Sequence, residues 1–466
     1  MKKFLTLIIS AIALVGCIED SFDTSPSAQP QFDVEELDMG VQFTENPSPT
    51  AKLMIYNPNS KNISLETVKL RSGEYFRMNV DGQAGKVFHD VEIRPNDSIY
   101  VFVECTLPPT PTAEPVVMSD DLEVTTNGVM KTLPIKALAQ NVERHVRKVL
   151  ESDTRFTNEL PHVVFDTLRV ASGTTLTLSP GVSLLFHDKA ALVVEGTLIS
   201  EGTAEAPVIM RGDRTGNVVA DISYDVMSNQ WEGLRFARES RNNLLSHTEI
   251  MNTCQGVMLD SLTQLTMINS RLYNSGRVQL AVGGDSEVTA LGCEISNAAS
   301  ALLLLEGGNY VFDRCTIANW YLFTWPDMAI IEFITPENTS ATFSNSIING
   351  RDSSVGDYGD VEAVDIWFRR CMFKENGTDD GRYLQCLWGE DPKLDYSLTD
   401  YTFDYSPTAG SSALEAAMPE YDSEELPALD RRGRLRGLTL GAYAPAPEEP
   451  EGHLVYSLKL IPYKLE

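Results

Sequence analysis

Positive charge is what this 466-residue chain lacks: 37 Lys and Arg face 66 Asp and Glu, a formal net charge of −29. A nucleic-acid partner needs a basic face to neutralise phosphates, so that class of function is excluded. An acidic surface instead favours solubility and draws cations or cationic partners. The seven cysteines include no CxxC pair, which argues against zinc-ribbon and thioredoxin-type chemistry. Beyond one N-terminal run, no segment is apolar enough to span a bilayer. With 42% hydrophobic residues the chain can build a substantial core, and its length suits two or three domains.

The exceptional apolar run covers residues 4–15, after Lys2 and Lys3, and closes in Leu14-Val15-Gly16-Cys17. A basic start, a short apolar core and small residues before a cleavage point read as a signal peptide, too short for a spanning helix. Leu-Val-Gly-Cys resembles the bacterial lipobox. That resemblance implies a mature chain beginning at a lipidated Cys17, with the membrane as its partner through acyl chains. Glu19, Asp20 and Asp23 follow closely and resemble an acidic export signal of surface lipoproteins. The expected location is the outer membrane, facing outward, with the periplasmic face as the alternative. Residues 18–31 read as a flexible tether.

Between residues 245 and 319 one phrase is written four times: Thr248-Glu249-Ile250-Met251-Asn252, Ser270-Arg271-Leu272-Tyr273-Asn274, Cys293-Glu294-Ile295-Ser296-Asn297 and Cys315-Thr316-Ile317-Ala318-Asn319. Its aliphatic anchors step by 22, 23 and 22 residues, and looser copies follow at 346–350 and 371–375. A fixed period of about 20–50 residues marks stacked repeats. Within the phrase the alternation has period two, so small residue, aliphatic and Asn share a strand face. One such strand plus turns and further short strands makes one coil of a parallel β-solenoid, with coils about 4.8 Å apart. The Asn residues are expected to form a column, amide on amide. Cys293 and Cys315 hold equivalent positions, within disulfide reach on adjacent coils, but are expected as free buried thiols.

Residues 32–142 alternate differently. Short apolar runs at 53–56, 63–70, 75–80, 98–105, 121–125 and 131–137 are separated by turn signals such as Asp81-Gly82 and Asn127-Gly128. About seven short strands in about 110 residues suggest an immunoglobulin-like sandwich. The phrases Leu37-Asp38-Met39-Gly40, Tyr56-Asn57-Pro58, Ile93-Arg94-Pro95-Asn96-Asp97-Ser98 and Leu122-Glu123-Val124-Thr125-Thr126-Asn127 resemble the bacterial Ig-like domains related to the HYDIN/ASH group. Such domains act as spacers or interaction modules.

The segments Gly173-Thr174-Thr175-Leu176-Thr177-Leu178, Pro180-Gly181-Val182 and Leu192-Val193-Val194-Glu195-Gly196-Thr197-Leu198 lead into the repeated phrase. They resemble the right-handed parallel β-helix of the pectin-lyase-like superfamily. Asp430-Arg431-Arg432-Gly433-Arg434 and Leu440-Gly441-Ala442-Tyr443 resemble its closing segment, with Thr439 and Ala444 where Asp and Glu are common. The resemblance spans residues 145–443, and 444–466 read as a linker and terminal strand. The expected fold is therefore all-β, an N-terminal Ig-like β-sandwich followed by a right-handed parallel β-helix. This fold hosts lyases, hydrolases, adhesins and inert scaffolds, so it does not fix function.

Lyases of this fold need acids holding Ca²⁺ beside a basic residue, and hydrolases need paired carboxylates. The galacturonase-type sets Asn-Thr-Asp, Asp-Asp, His-Gly and Arg-Ile-Lys are not found as a group. His162, His187 and His247 look isolated from one another. Asp352, Asp357, Asp360, Glu362 and Asp365 form the densest acidic cluster; they read as a solvated loop whose hard oxygens also suit Ca²⁺. No other cofactor is indicated. The aromatic run Trp320, Tyr321, Phe323 and Trp325 lies where the period is interrupted, and reads as a hydrophobic plug or a glycan platform. The residues point to a non-catalytic cell-envelope lipoprotein that offers a β-helix surface for adhesion or for glycan or protein binding. Two alternatives fit the same fold: an enzyme acting on acidic polysaccharide, and a structural subunit of a surface assembly.

Overall fold

The computed structural model describes residues 21–214, 216–219, 222–359 and 364–446. The signal peptide, Cys17 and the expected terminal strand at 453–466 lie outside the described residues. The chain forms two compact units divided between Asn141 and Val142. Both are built almost wholly of β-strands.

The first unit is a β-sandwich of two five-stranded sheets. In Ser98–Cys105 every second side chain is buried, as a strand with one face on a core requires. Leu53, Ile55, Val101 and Val103 of one sheet share that core with Leu65, Val68, Leu122, Val124 and Ile135 of the other. Both expected two-residue turns form. Asp81-Gly82 and Asn127-Gly128 have positive φ at each central position (49° and 83°, 52° and 73°), the geometry that joins tightly twisted antiparallel strands. Four strands go beyond the sequence expectation, the short Gln31–Phe32 and Gln83–Gly85 and the longer pair Leu37–Phe43 and Val87–Ile93. Val87–Ile93 is a sheet edge with mostly exposed side chains, so it carries no apolar alternation. Leu37–Phe43 pairs parallel with Val129–Gln140 from Ile135 onward, so Pro134, which has no N–H, sits just before that ladder begins.

The second unit is a parallel β-helix whose coils feed three parallel sheets of eleven, eight and ten strands. The four phrases and both looser copies stack in register down the eleven-stranded sheet: Ile250, Leu272, Ile295, Ile317, Ile348 and Phe373 lie one on the next. None of the six is more than 1% exposed. In the later coils the ten-stranded sheet carries an aromatic column of its own. Phe312, Phe343, Phe368 and Tyr383 follow at centroid spacings of 4.9, 4.9 and 4.8 Å. That matches the spacing of hydrogen-bonded strands, so ring stacking and backbone pairing demand the same rise.

One residue per coil bends the chain from the ten-stranded into the eleven-stranded sheet. His247, Asn269, Gly292, Arg314, Asn345, Arg370 and Gln385 all have φ between 43° and 65°. Each is followed by a small residue, which in the first six opens the phrase. That residue turns inward and satisfies a corner carbonyl: Ser270 Oγ donates to Leu245 O, and Cys315 Sγ to Ala290 O. The six cysteines in the described residues are free thiols. The phrase-ending Asn column departs from the expected ladder. Asn252, Asn274 and Asn297 have φ of 65°, 58° and 53°, a left-handed conformation that Asn tolerates better than most residues. Their amides tie down inserted segments. Asn252 and Asn274 donate to Asp225 O, and Asn297 Oδ1 accepts from the Trp320 N–H and the Tyr405 hydroxyl.

The outer face of the eleven-stranded sheet is covered by the C-terminal part of the same chain. Ala318, Ile347 and Met372 pack there against Leu394, Tyr405, Ala413, Leu440 and Tyr443. The left-handed corner residues act as hooks. Arg314 holds the Asp422 carboxylate with two bonds (2.7 and 2.8 Å), Asn345 Nδ2 donates to Met418 O (2.9 Å), and Arg370 Nε donates to Ala416 O (2.6 Å). On the face itself Glu249, Arg271 and Glu294 stand in register on successive strands. Arg271 Nε donates to Glu294 Oε1 at 2.8 Å. From the covering segment Arg431 pairs with Glu249, and the Tyr443 hydroxyl donates to Glu294. Glu249, Glu294 and Arg431 are buried, so each charge depends on a partner to offset its loss of water.

Candidate functional site

A cleft of about 310 Å³ opens where the covering segment meets the ends of three successive strands of that sheet. Trp320 follows Thr316–Asn319, Asn349 lies near the end of the next coil's strand Ile347–Gly350, and Lys374 follows Met372–Phe373. Stacking the coils therefore brings together an indole, an amide and an ammonium from residues far apart in sequence. Glu390, Asp391, Leu394 and Tyr396 of the covering segment form the other wall. Trp320 is held firmly: its Nε1–H donates to Asn349 Oδ1 (3.1 Å), and Tyr396 stacks on it at 5.1 Å. Lys374 Nζ lies 5.5 Å from the indole centroid and donates to Gly350 O at 2.7 Å. Glu390 accepts from Ser412 Oγ (2.7 Å) and Asp391 from the Lys393 N–H (2.9 Å), which keeps both carboxylates on the wall.

The expected aromatic platform is divided by the fold. Trp320 lines the cleft. Tyr321 is buried and its hydroxyl meets Ser228 Oγ at 2.6 Å, joining the insertion after the fourth phrase to the insertion before Trp231. Phe323 packs edge-on against Tyr321 at 5.6 Å. Trp325 is 73% exposed, with the Arg351 guanidinium 5.1 Å from its ring centroid. Of the four rings, Tyr321 anchors the insertion while Trp320 and Trp325 remain accessible to a ligand.

Three members of the acidic cluster, Asp352, Asp357 and Asp365, lie among the described residues. Asp352 accepts from the Ser353 N–H and Asp357 from the Gly359 N–H, both as local turn contacts. Asp365 accepts from Ser340 Oγ and Trp367 Nε1, each at 2.7 Å, and these bonds hold its carboxyl below the usual range. Asp360 and Glu362 lie outside the described residues.

Among the described residues, ligand atoms converge as a metal requires at Glu143, His145 and His162. His162 is thus not isolated: its Nδ1 lies 3.0 Å from His145 Nε2. Burial pushes His145 down to about 4, so the ring is neutral at pH 7. Glu143 and His145 share a strand face by period two, but the partnership with His162 depends on coil register across 17 residues. His187 likewise has a partner, Asp213 Oδ2 at 2.7 Å, and that bond raises its pKa. His247 is half-buried, which lowers its pKa.

No family model matches the chain, and no curated protein matches it. A family 123 glycoside hydrolase from Clostridium perfringens, studied for glycolipid glycan hydrolysis, is a solved structure with partial likeness. It is 12% identical over 24% of this chain and 26% of that one, with a TM-score of 0.17. The likeness spans about a quarter of the hydrolase and bears on neither fold nor activity.

Proposed function

We propose that this chain is a lipid-anchored envelope protein that binds a glycan without cleaving it, through the Trp320 cleft and the exposed Trp325 of the same insertion. In this reading Cys17 carries the anchor, the protein faces outward from the outer membrane, and the sandwich acts as a spacer. The observation that carries the proposal is the lining of the cleft: an oriented indole and a tyrosine next to two carboxylates, an amide and an ammonium. A sugar offers apolar C–H faces to rings and hydroxyls to such polar groups. The cleft volume lies at the small end for ligand sites and suits a single sugar ring. Trp325 then supplies a second contact along the same insertion. Glycoside cleavage uses two carboxyl groups facing each other across the scissile bond, about 5–10 Å apart. Glu390 and Asp391 are consecutive residues of one wall and serve here as hydrogen-bond acceptors.

The test is a glycan array on the full chain, followed by titration of the best ligand into wild type, Trp320→Ala and Trp325→Ala. Loss of one stacking ring should weaken binding by about three- to tenfold, leaving the thermal midpoint of the Trp325 variant unchanged. Binding that neither substitution alters would overturn the assignment. New reducing ends or unsaturated products from the bound glycan would replace it with the enzyme reading.

A further inference from the structure

We propose that Glu143, His145 and His162 form a binding site for a divalent transition ion, best suited to Zn²⁺, which staples the first coil of the β-helix to the second. Glu143–Val146 is the terminal strand of the eleven-stranded sheet, and His162–Phe165 pairs with it so that Glu143 stands opposite His162. His145 Nε2 and His162 Nδ1 are 3.0 Å apart, and Glu143 Oε2 is 3.4 Å from the same Nδ1. Two ligands on a tetrahedral zinc ion, with bonds of about 2.0–2.1 Å, lie ~3.3 Å apart, so both separations are already those of a coordination shell. All three ligand atoms fall within 4.8 Å of one another, and Glu143 is exposed, free to close the remaining gap by rotation.

The second coordination layer is also present. His162 Nε2 lies 2.9 Å from Thr157 O, so its proton is held there and Nδ1 presents a lone pair inward. Phe156 stacks on both imidazoles, at 4.8 Å from His145 and 4.2 Å from His162, and fixes their planes. The rings themselves are no more than 2% exposed. His145 Nδ1 has no hydrogen-bond partner, so the ring's proton can move there when a cation takes Nε2. Lys148 is close enough to oppose a cation, and the Glu143 carboxylate is the charge that offsets it. Two imidazoles and one carboxylate suit zinc, copper or nickel, whereas Ca²⁺ and Mg²⁺ require oxygen donors. With three protein ligands the fourth position goes to water. The consequence is mechanical: a parallel sheet is weakest where its last strand has only one neighbour, and the ion would link that strand to the next.

The test titrates the metal-stripped full chain with Zn²⁺ by calorimetry, with Ca²⁺ as control. The expected result is one Zn²⁺ per chain in the micromolar range, no Ca²⁺ binding at the same concentrations, and a thermal midpoint that rises with Zn²⁺. Co²⁺ in place of zinc should give the visible absorption of a tetrahedral nitrogen–oxygen site. His162→Ala should abolish binding. Because that variant removes a packed ring, Glu143→Gln is the second arm: it leaves the buried rings in place and should weaken Zn²⁺ by more than about tenfold, the smallest loss typical of outer-layer partners. No Zn²⁺ binding to wild type, or undiminished binding in both variants, would overturn the site. Loss in His162→Ala with Glu143→Gln unchanged would overturn the three-ligand assignment.

Discussion

The β-helix has two interiors. The lumen inside the coil is filled by Leu, Ile, Val and Phe in vertical stacks. The seam outside it, between the eleven-stranded sheet and the covering C-terminal segment, buries Glu249, Glu294, Arg314, Arg431 and Asp313. The lumen is generic: any aliphatic or aromatic side chain that matches the rise of the stack will serve, so it can be extended coil by coil. The seam is specific: Glu249 meets Arg431, Glu294 meets Tyr443 and Arg314 meets Asp422, so these contacts favour one register of the segment over the strands. Buried ion pairs contribute little net stability, and fixing register is their best-attested use.

Breaking the lumen should have the largest effect. Phe368 stacks between Phe343 and Tyr383, and Phe368→Ala opens a cavity in both layers at once. The expected loss is about 4 kcal/mol, read as a lower urea midpoint. A loss below about 2 kcal/mol would mean that the stack can collapse around the gap.

Next comes the seam. Arg431→Met strands the Glu249 carboxylate away from water, and the expected loss is about 3 kcal/mol. Adding Glu249→Leu removes the stranded charge and should restore most of that stability. This reversal is what separates the two interiors, because a second truncation in the lumen can only deepen the loss. If the double variant is no more stable than the single one, the seam behaves as ordinary packing and the distinction fails.

That contrast also decides what could be read from the sequence. The lumen was legible because it repeats: phrases 22 or 23 residues apart impose a period and an alternation that place Ile250, Leu272, Ile295 and Ile317, and the alternation alone places Ile348 and Phe373 beyond the interruption. The corner column was present in the sequence but disguised. Asn and Gly advertise a left-handed residue, whereas Arg314, Arg370 and Gln385 at the same position do not. Seam partners leave no local trace, since Glu249 and Arg431 are 182 residues apart and Arg314 and Asp422 are 108 apart. The candidate site shows the same division. Composition picked out the aromatic run, but only the coil's exit geometry sends Trp320 into the cleft and Tyr321 into the interior. Asn349, Lys374 and Tyr396 became its partners through stacking and covering, neither of which a linear pattern records. His145 was missed because its partner stands one coil away.

The smallest effect tests the seam through pH. Asp313 is 1% exposed; its Oδ2 accepts from the Ser423 N–H at 2.6 Å, and its Oδ1 has no partner. Burial, with Asp422 nearby, raises its pKa to about 7 from its ordinary value of 3.8, against the opposing effects of that N–H and of Arg314. Between those two values the folded state holds a proton that the unfolded state has released. The contribution to stability is therefore full below about pH 4, falls as pH rises, and is lost above about pH 7. A three-unit shift sets an upper bound of about 4 kcal/mol, and the high effective dielectric of real protein sites brings the expected value to about 1–2 kcal/mol. Asp313→Asn keeps an acceptor for Ser423 and cannot ionise. It should match wild type at pH 4 and exceed it by that amount at pH 8, with the gap opening between pH 4 and pH 7. A gain of equal size at both pH values would trace the effect to packing rather than charge, and the seam would lose its claim to differ from the lumen at this position.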